Sequence, residues 1–380
     1  MRRDDRDLKR YRPTDTGPRM FTLTEEETLL AEAAKGFVTD KVPTSALRRL
    51  RDGGESHDPA VYQEMAAMGW TGVIVPEAHG GSGLPVRALG LVLEECGRTL
   101  AATPLLSTAL IGASALTLGG TAEQQARWLP HIADGSLIVA LAVDETAHHG
   151  PSRTTTRVDR AGVVRGTKCF VADGHLAHLL LVLARDPDGE LAFVLVEANS
   201  PGVEVTSLNT VDSRGAADIR FADVPGQFLS HGPALVEAVL ARARIGLAAE
   251  MLGAATAAFE QTADYLKTRT QFGQLIGSFQ GLQHRAGKML VELELTRSCV
   301  LAALSALDQD TPAAKLAELA SLAKARAADT LHLVTNEMVQ MHGGIGMTDA
   351  HDAGLYLKRA RVQEALYGSA GFHRDRFAHV

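Results

Sequence analysis

A block of short apolar segments interrupts a chain whose sequence pattern is otherwise helical, and this interruption limits the folds available to it. Between about residues 136 and 230, runs such as 163–171 and 179–184 are short and rich in Val or Leu, with Asp-Gly pairs between them. Such spacing is typical of the strands of a small β-barrel or sandwich. On either side, residues 21–135 and 231–380 show helical periodicity. The predicted order is therefore helical, β, helical.

The C-terminal part has four helical patterns, a number that suits a helical bundle. These patterns cover residues 236–267, 279–307, 312–342 and 355–366. We predict an α+β fold with an N-terminal helical domain (21–135), a central β-barrel (136–230) and a C-terminal four-helix bundle (231–380). Residues 1–20 are charged and lack the apolar core of a secretory signal, so we interpret them as a mobile tail.

Composition excludes several classes of function. The 380 residues carry a net charge of −7, which gives no basic field for nucleic acid or anionic lipid. No apolar run reaches the roughly 18–20 residues that a membrane helix needs. The three cysteines are far apart and suggest neither a disulfide framework nor a metal site. We expect a cytoplasmic protein without a metal, without nucleic acid and without a membrane partner.

A first motif lies where one long helical pattern ends and another begins, in residues 265–280. Arg269 could clamp a phosphate with its fork of donors, because a guanidinium binds phosphate oxygens in pairs. Phe272 could cover a ring, and Gln280 could hydrogen-bond a polar edge. Spacing alone is equally compatible with an ordinary helix–loop–helix corner in which Arg269 is only solvated.

A second motif follows the third C-terminal helical pattern. Gln340 precedes the pair Gly343-Gly344, and adjacent glycines let the backbone approach a ligand closely. Taken alone, the pair also fits a glycine cap at the end of a helix.

Together the two motifs resemble the acyl-CoA dehydrogenase superfamily, whose C-terminal domain carries an R-x-x-F-G corner (here 269–273) and a Q-x-x-G-G loop (here 340–344). Other segments match as well. Residues 75–83 resemble the family's P-E-x-x-G-G-x-G, 168–171 resemble its K-x-W-I segment, and 221–225 resemble the strand that ends its barrel. The resemblance covers nearly the whole chain, and the order helical, β, helical is the family's order.

The resemblance implies that FAD binds at a subunit interface of a dimer or a dimer of dimers. By motif match, Arg269, Gln271 and Phe272 would contact the FAD of a neighbouring subunit. The same match assigns further contacts to Gln280, Gln340, Gly343 and Gly344.

Three further positions follow from the resemblance. Phe170 would be the flat aromatic platform of the flavin, although Ala172 replaces the family's Thr. Arg244 falls at the basic position of the acyl-CoA site, but Ala241 replaces its acidic companion. The family's T-E-P-G-x-G-S-D stretch is replaced by the divergent residues 144–152.

The catalytic Glu of the family is missing. Counting from Gly343-Gly344, its position is Tyr367, and the alternative family location is Ala243. A tyrosine, with a pKa of about 10, is a poor base at neutral pH. Tyr367 is therefore a candidate to line the pocket, to donate a hydrogen bond or only to pack. Other candidate bases, none at a family base position, are Glu364, His373, Asp144 and Glu145.

Residues 351–374 are similar to a divergent bacterial subgroup that lacks the E-G-T turn and works beside a related subunit. The leading hypothesis is an FAD-dependent enzyme of lipid metabolism that desaturates an acyl thioester at the α and β carbons, with a partner subunit supplying the base. An electron-transfer flavoprotein or similar acceptor, and a homo-oligomer or an α2β2 heterotetramer, belong to this hypothesis. The alternatives are a flavin-dependent oxidase or monooxygenase on the same fold, and a non-catalytic structural subunit of a heteromeric dehydrogenase.

Overall fold

The computed structural model describes residues 23–230 and 232–378, so the predicted tail at residues 1–20 lies outside the described residues. The helices, in chain order, are Glu25–Lys41 (α1), Thr44–Gly53 (α2), Pro59–Ala67 (α3), Val86–Arg98 (α4), Ala113–Gly119 (α5), Ala122–Ala133 (α6), Gly232–Thr268 (α7), Gln280–Leu307 (α8), Ala313–His342 (α9), Ala353–Ala365 (α10) and Ala370–Ala378 (α11). A fully buried π-helical turn, Leu106–Gly112, leads into α5.

The N-terminal helices begin at recognisable caps. Thr24 starts α1 with a capping box. Its hydroxyl accepts a hydrogen bond from the backbone N–H of Glu27, and the Glu27 carboxylate accepts one from the backbone N–H of Thr24. Thr121 and Gln124 form the same arrangement at α6. Paired caps of this kind satisfy backbone N–H groups that a helix start leaves free.

Between the helical parts lies one curled sheet. Its strands are Val139–Ala142 (β1), Arg157–Val158 (β2), Val163–Ala172 (β3), Leu179–Arg185 (β4), Leu191–Glu197 (β5), Val203–Leu208 (β6), Ala216–Pro225 (β7) and Gln227–Phe228 (β8). The hydrogen-bonded order is β6-β7-β3-β2-β4-β5-β8, and β1 pairs in parallel with β4. Apolar side chains such as Val164, Val182 and Ile219 fill its core. The predicted α+β order is confirmed.

The long helix α7 is the centre of the C-terminal part and packs against α4, α9 and β5. Two glycines bring α4 and α7 into backbone contact. A Cβ at Gly97 would lie 2.0 Å from the Glu250 carbonyl oxygen, and one at Gly253 would lie 1.8 Å from that of Glu94. Only glycine fits at these crossings, so they fix the position of Glu250.

Four long helices follow the predicted patterns, and the short helix α11 is added at the end, packed on α9. A two-stranded hairpin, Thr270–Gln271 (β9) with Gln274–Leu275 (β10), joins α7 to α8. None of the helices described is long and apolar enough to cross a bilayer.

Candidate active site

A cavity of about 470 Å³ lies between the sheet and the C-terminal helices. Segments far apart in the sequence form its wall: the π-helical turn, the loop after β1, the end of β3, the β6–β7 connection, α7 and the end of α10. Such a mainly enclosed space between two layers is the usual place for a ligand site. Both Phe170 and Tyr367, which the family motifs single out, line it.

One side of this cavity is an ionic network. Arg214 places Nη1 3.2 Å from the Glu250 carboxylate and Nη2 3.4 Å from that of Asp173. Ser107 donates its hydroxyl to Asp173 at 2.7 Å. Burial raises the pKa of Glu250, and the Arg214 charge opposes this. Asp173 is therefore already bound to a permanent cation and a hydroxyl.

A second ion pair continues the network. Arg359 Nε lies 2.8 Å from Asp212 Oδ2, and both side chains are almost fully buried. Gln363 donates from Nε2 to Glu250 at 3.1 Å and so connects the two pairs. Burial lowers the pKa of the Arg359 guanidinium, while Asp212 raises it. The network thus joins two cations to three carboxylates within the described residues.

Tyr367 stands on a strained turn beside the cavity. It is only 3% exposed and its backbone is left-handed, with φ at 57°. Lys324 holds the turn from behind by donating to the Gly368 carbonyl at 3.0 Å and to the Glu364 carbonyl at 3.3 Å. Burial raises the pKa of the Tyr367 phenol above its usual value. Tyr367 is thus a protonated phenol that can donate a hydrogen bond but cannot act as a base at neutral pH.

Three of the other candidate bases lie outside the cavity wall. Glu364 accepts from Arg361 at 2.9 Å and contacts His332. His373 packs behind Tyr367, and burial together with the charge of Arg244 lowers its pKa to about 2. None of these groups is placed to take a proton from a ligand in the cavity.

Glu145, the third of them, is committed to a buried ion pair. Its carboxylate lies 2.8 Å from Lys168 Nζ and accepts from Thr155 and Thr156. Burial would raise the pKa of Glu145, but the hydrogen bonds from Lys168 and Thr155 lower it to about 2. Burial lowers the pKa of Lys168 to about 8, although Glu145 opposes this.

Asp144, the fourth candidate, does line the cavity. Its carboxylate accepts from His149 Nδ1 at 2.9 Å and from the Gly150 backbone N–H at 3.1 Å. The imidazole is buried and packs edge-on to Phe372, with 5.1 Å between ring centroids. Sequence reasoning missed His149, although a histidine five residues after an aspartate in a divergent loop was a signal that could have indicated it.

The predicted flavin platform is also part of the cavity wall. Phe170 is 54% exposed and has a left-handed backbone with φ at 52°, and its N–H donates to Asp218 Oδ1 at 3.0 Å. A flat, partly exposed aromatic ring at a cavity fits a planar cofactor.

The predicted FAD corner does not line this cavity. It projects from the end of α7, where Phe272 and Gly273 form the tip of the β9–β10 hairpin with left-handed backbones. Phe272 is 90% exposed, and Arg269, Gln271 and Gln280 are exposed as well. Among the residues described, none is bound by the Arg269 side chain. The corner therefore exposes a cation that no described residue binds and a ring that is mostly uncovered.

The glycine loop after α9 is open in the same way. Gln340, Gly343 and Gly344 are exposed, and a Cβ added at either glycine would meet no atom within 4 Å. Gly343 has a φ of 62°, which favours glycine. The neighbouring Met347 is 78% exposed. The loop therefore leaves its backbone open to close approach by another molecule.

Arg244, predicted to bind substrate, is fully buried in α7 and does not line the cavity. Its guanidinium nitrogens form no hydrogen bond within the described ranges, and the nearest carboxylate oxygen, on Glu237, is 3.8 Å away. Burial and the neighbouring Arg376 lower its pKa to about 10. No group of His, Cys, Asp or Glu in the part of the chain described could hold a metal ion.

Models of known protein families match three successive parts of the chain. Residues 24–136 match the model of the acyl-CoA dehydrogenase N-terminal domain, residues 145–224 that of the middle domain, and residues 230–380 that of the C-terminal domain. The chain is 30% identical to the probable acyl-CoA dehydrogenase YngJ of Bacillus subtilis, over 93% of this chain and 97% of that protein.

Two solved structures are similar over almost their whole length. One, a steroid ACAD variant of the pair Tcur3481-Tcur3483, is 34% identical with a TM-score of 0.88, covering 94% of this chain and 98% of that chain. The other, from the ChsE4-ChsE5 complex of Mycobacterium tuberculosis, is 26% identical with a TM-score of 0.88 and the same coverage.

Proposed function

The chain belongs to the acyl-CoA dehydrogenase family, and from this premise we propose that it desaturates an acyl thioester between the carbons α and β to the carbonyl. The observation that carries the proposal is the cavity, because it brings together Phe170 from the sheet and Tyr367 from the C-terminal helices, the two positions that the family uses around the reacting carbons.

The protein is an FAD-dependent oxidoreductase that acts on CH–CH groups. When bound, FAD accepts the hydride that leaves the β carbon. The chain's own part is to hold the cofactor and to exclude water. Phe170 would support the flavin ring, and the phenol of Tyr367 would donate a hydrogen bond into the cavity. Arg269, Gln271 and Phe272 would bind the FAD of a neighbouring subunit.

A partner subunit is part of the proposal. Because Tyr367 replaces the family's carboxylate, we propose that a related subunit brings a carboxylate base in its own cavity. There the exposed corner of this chain, with Gln280, Gln340, Gly343 and Gly344, would complete the FAD site. The similar structures from the ChsE4-ChsE5 complex and the pair Tcur3481-Tcur3483, each named for two proteins, support this arrangement.

The other partners follow from the family. We propose acyl-CoA or another acyl thioester as substrate, with Arg244 near its binding site. We propose an electron-transfer flavoprotein or a similar protein as the acceptor. A similar structure, 26% identical with a TM-score of 0.87, comes from work on the electron transferring flavoprotein of Acidaminococcus fermentans.

The experiment is to purify the chain alone and together with an acyl-CoA dehydrogenase-like subunit encoded beside it. Oxidised flavin absorbs near about 450 nm, so bleaching by a panel of acyl-CoA esters reports the reaction. We expect the mixed assembly to bleach at least about tenfold faster than the chain alone. Equal rates with and without the partner would remove the partner from the proposal.

Two other results would replace the proposal. A chain whose reduced flavin reacts productively with oxygen and a substrate would be an oxidase or monooxygenase. A chain that binds no FAD in either preparation and changes no rate would be a structural subunit.

A further inference from the structure

We propose that Asp144 is the proton acceptor in this chain's own cavity and that His149 positions its carboxylate. The inference rests on the proposed desaturation but not on the partner's base. An assembly of two related subunits contains two kinds of cavity, and the carboxylate of the partner concerns the other kind. Asp144 would make the cavity of this chain a proton-accepting centre of its own.

Among the carboxylates that line the cavity, Asp144 differs from the others in its partners. Three carboxylates line the cavity: Asp144, Asp173 and Asp212. Asp173 and Asp212 are bound by the guanidinium groups of Arg214 and Arg359, so these carboxylates are already engaged by permanent cations. Asp144 is bound by an imidazole and a backbone N–H instead. It is thus the lining carboxylate that no guanidinium holds.

Asp144 also lies close to the proposed flavin platform. Asp144 follows β1, and its carbonyl accepts the Cys169 N–H at 2.7 Å. Cys169 immediately precedes Phe170, so this bond fixes Asp144 next to the proposed flavin platform. The Asp144 side chain is 18% exposed, which leaves part of its carboxylate open. A ligand between Phe170 and Tyr367 would lie in the same cavity as this open edge.

The carboxylate of Asp144 is also held in place by its own loop. His149 donates from Nδ1 to Asp144, and its ring is wedged against Phe372 of α11, the helix that follows the Tyr367 turn. The loop is closed by Arg153, which donates to the carbonyls of His148 and His149 at 3.0 and 3.3 Å. A carboxylate held from two sides keeps one orientation toward the ligand, which is what a general base needs.

The proposed step removes a proton from the α carbon and a hydride from the β carbon. The bond between the α carbon and its hydrogen breaks, the proton goes to an Asp144 oxygen, and the electron pair of that bond forms the double bond. The β carbon would lose its hydrogen as a hydride, which the FAD of the proposed function would accept.

The test measures exchange of the α protons of a saturated acyl-CoA for deuterium in D₂O, by mass spectrometry, with the holoprotein alone. General base catalysis contributes about 10²–10⁴-fold, so we expect Asp144→Asn to slow exchange at least about 100-fold. Asn can still accept from His149 and Gly150, so the loop is retained. FAD content and the Kd for acyl-CoA should stay within about twofold, a range that general base loss leaves untouched.

The matched control is Glu364→Gln, which removes a carboxylate near the Tyr367 turn but outside the cavity wall. It should leave exchange unchanged. Exchange that survives Asp144→Asn, or that falls equally in Glu364→Gln, overturns the assignment of Asp144.

His149 is tested by the pH profile of exchange. The titratable groups that lie near Asp144 are His149, Lys168, Cys169, Arg244 and Tyr367. His149→Phe removes a hydrogen bond to the carboxylate, so the acidic limb should move up by about one pH unit or less. His149→Asn, which keeps a hydrogen-bond donor at this position, should return the acidic limb toward its place in the parent protein. An unchanged limb in both variants contradicts the positioning role.

The two proposals fail in different ways. No exchange by the chain alone, with desaturation by the mixed assembly, would overturn the role of Asp144 and leave the proposed function standing. Absence of both exchange and desaturation in the mixed assembly would overturn the proposed function itself.

Discussion

The cavity wall and the FAD corner carry the two clearest family positions, yet the structure treats them in opposite ways. In the cavity wall the charged side chains of Asp173 and Arg214 are paired, and Arg214 also binds the buried carboxylate of Glu250. At the corner, Arg269 and Phe272 are exposed; no described residue binds the Arg269 side chain, and the Phe272 ring meets only the edge of Phe279 among the described residues. Within the described residues the charges of the first region are paired, whereas the cation of the second region is left unpaired.

Because of this difference, substitutions in the two regions should affect different properties of the protein. A substitution in the paired wall leaves a charge buried without its counterion, so its effect falls on the stability of this chain. A substitution at the corner removes a group that is already in water, so its effect falls on binding to another molecule. The following predictions use this separation, beginning with the largest expected effect.

Replacement of Arg214 should give the largest change in stability. Arg214→Met leaves Asp173 and Glu250 buried without their shared cation, which costs about 3–5 kcal/mol of unfolding free energy. Urea unfolding followed by circular dichroism measures this loss. The control is Arg165→Met, which breaks an exposed ion pair with Asp223 and should cost less than about 1 kcal/mol. Equal losses would mean that the cavity wall is not held by its ion pairs.

The second prediction concerns the residue that replaces the catalytic Glu. Tyr367→Glu puts a carboxylate on the same left-handed turn, so the strain of the backbone is unchanged. Burial should raise the pKa of this carboxyl toward working pH, as burial raises that of Glu250. In the Asp144→Asn background, where the proposed base of this cavity is absent, we expect Tyr367→Glu to make the chain alone desaturate acyl-CoA about 100-fold faster, within the range of general base catalysis.

Tyr367→Gln is the matched control for this gain, because it has the size of Glu and no basic oxygen at neutral pH. It should give no acceleration. If Tyr367→Glu retains FAD and is no faster than Tyr367→Gln, the chemistry does not take place in the cavity that Tyr367 lines.

At the corner, the expected effect is on the cofactor. Arg269→Ala removes a charge-assisted pair of hydrogen bonds to phosphate, worth about 1.5–3 kcal/mol, and should weaken FAD binding about 10–100-fold. Fluorescence titration of the apoprotein with FAD measures it. Unfolding in the absence of FAD should be unchanged, because Arg269 binds no described residue.

The control is Lys267→Ala, which removes a neighbouring exposed cation bound only to Asp264. It should leave FAD affinity unchanged. If both variants weaken FAD equally, the corner attracts the cofactor by general charge and not through Arg269.

The same contrast explains how much the sequence could predict. The order of helices and strands follows from periodicity, and the corner follows from a motif whose residues are neighbours in the sequence, so both could be predicted. The cavity wall could not, because Ser107, Asp173, Arg214, Glu250 and Gln363 come from five separate segments. Which charges neutralise one another there depends on the packing of the domains, and no local pattern encodes it.

The candidate bases show the same limit on a smaller scale. Sequence reasoning named Glu364, His373, Asp144 and Glu145 with equal weight. The structure separates them through single contacts, such as the bond of Glu145 to Lys168. Only Asp144 lies in the cavity wall.

The last expected effect, which is the smallest over any single pH unit, is a pH dependence that originates behind the cavity wall. Burial lowers the pKa of Lys324 to about 7 from an ordinary value of 10.5. Between these values the unfolded chain binds the proton that the folded chain has released, so this group makes stability rise with pH from about 7 to 10, by at most about 1.4 kcal/mol per unit. Lys324→Met should remove that rise, measured as the urea midpoint against pH. Lys315→Met, at an exposed lysine paired with Glu318, should leave it unchanged. Parallel curves for Lys324→Met and the parent would mean that Lys324 stays protonated in the fold, bound by the carbonyls of Glu364 and Gly368.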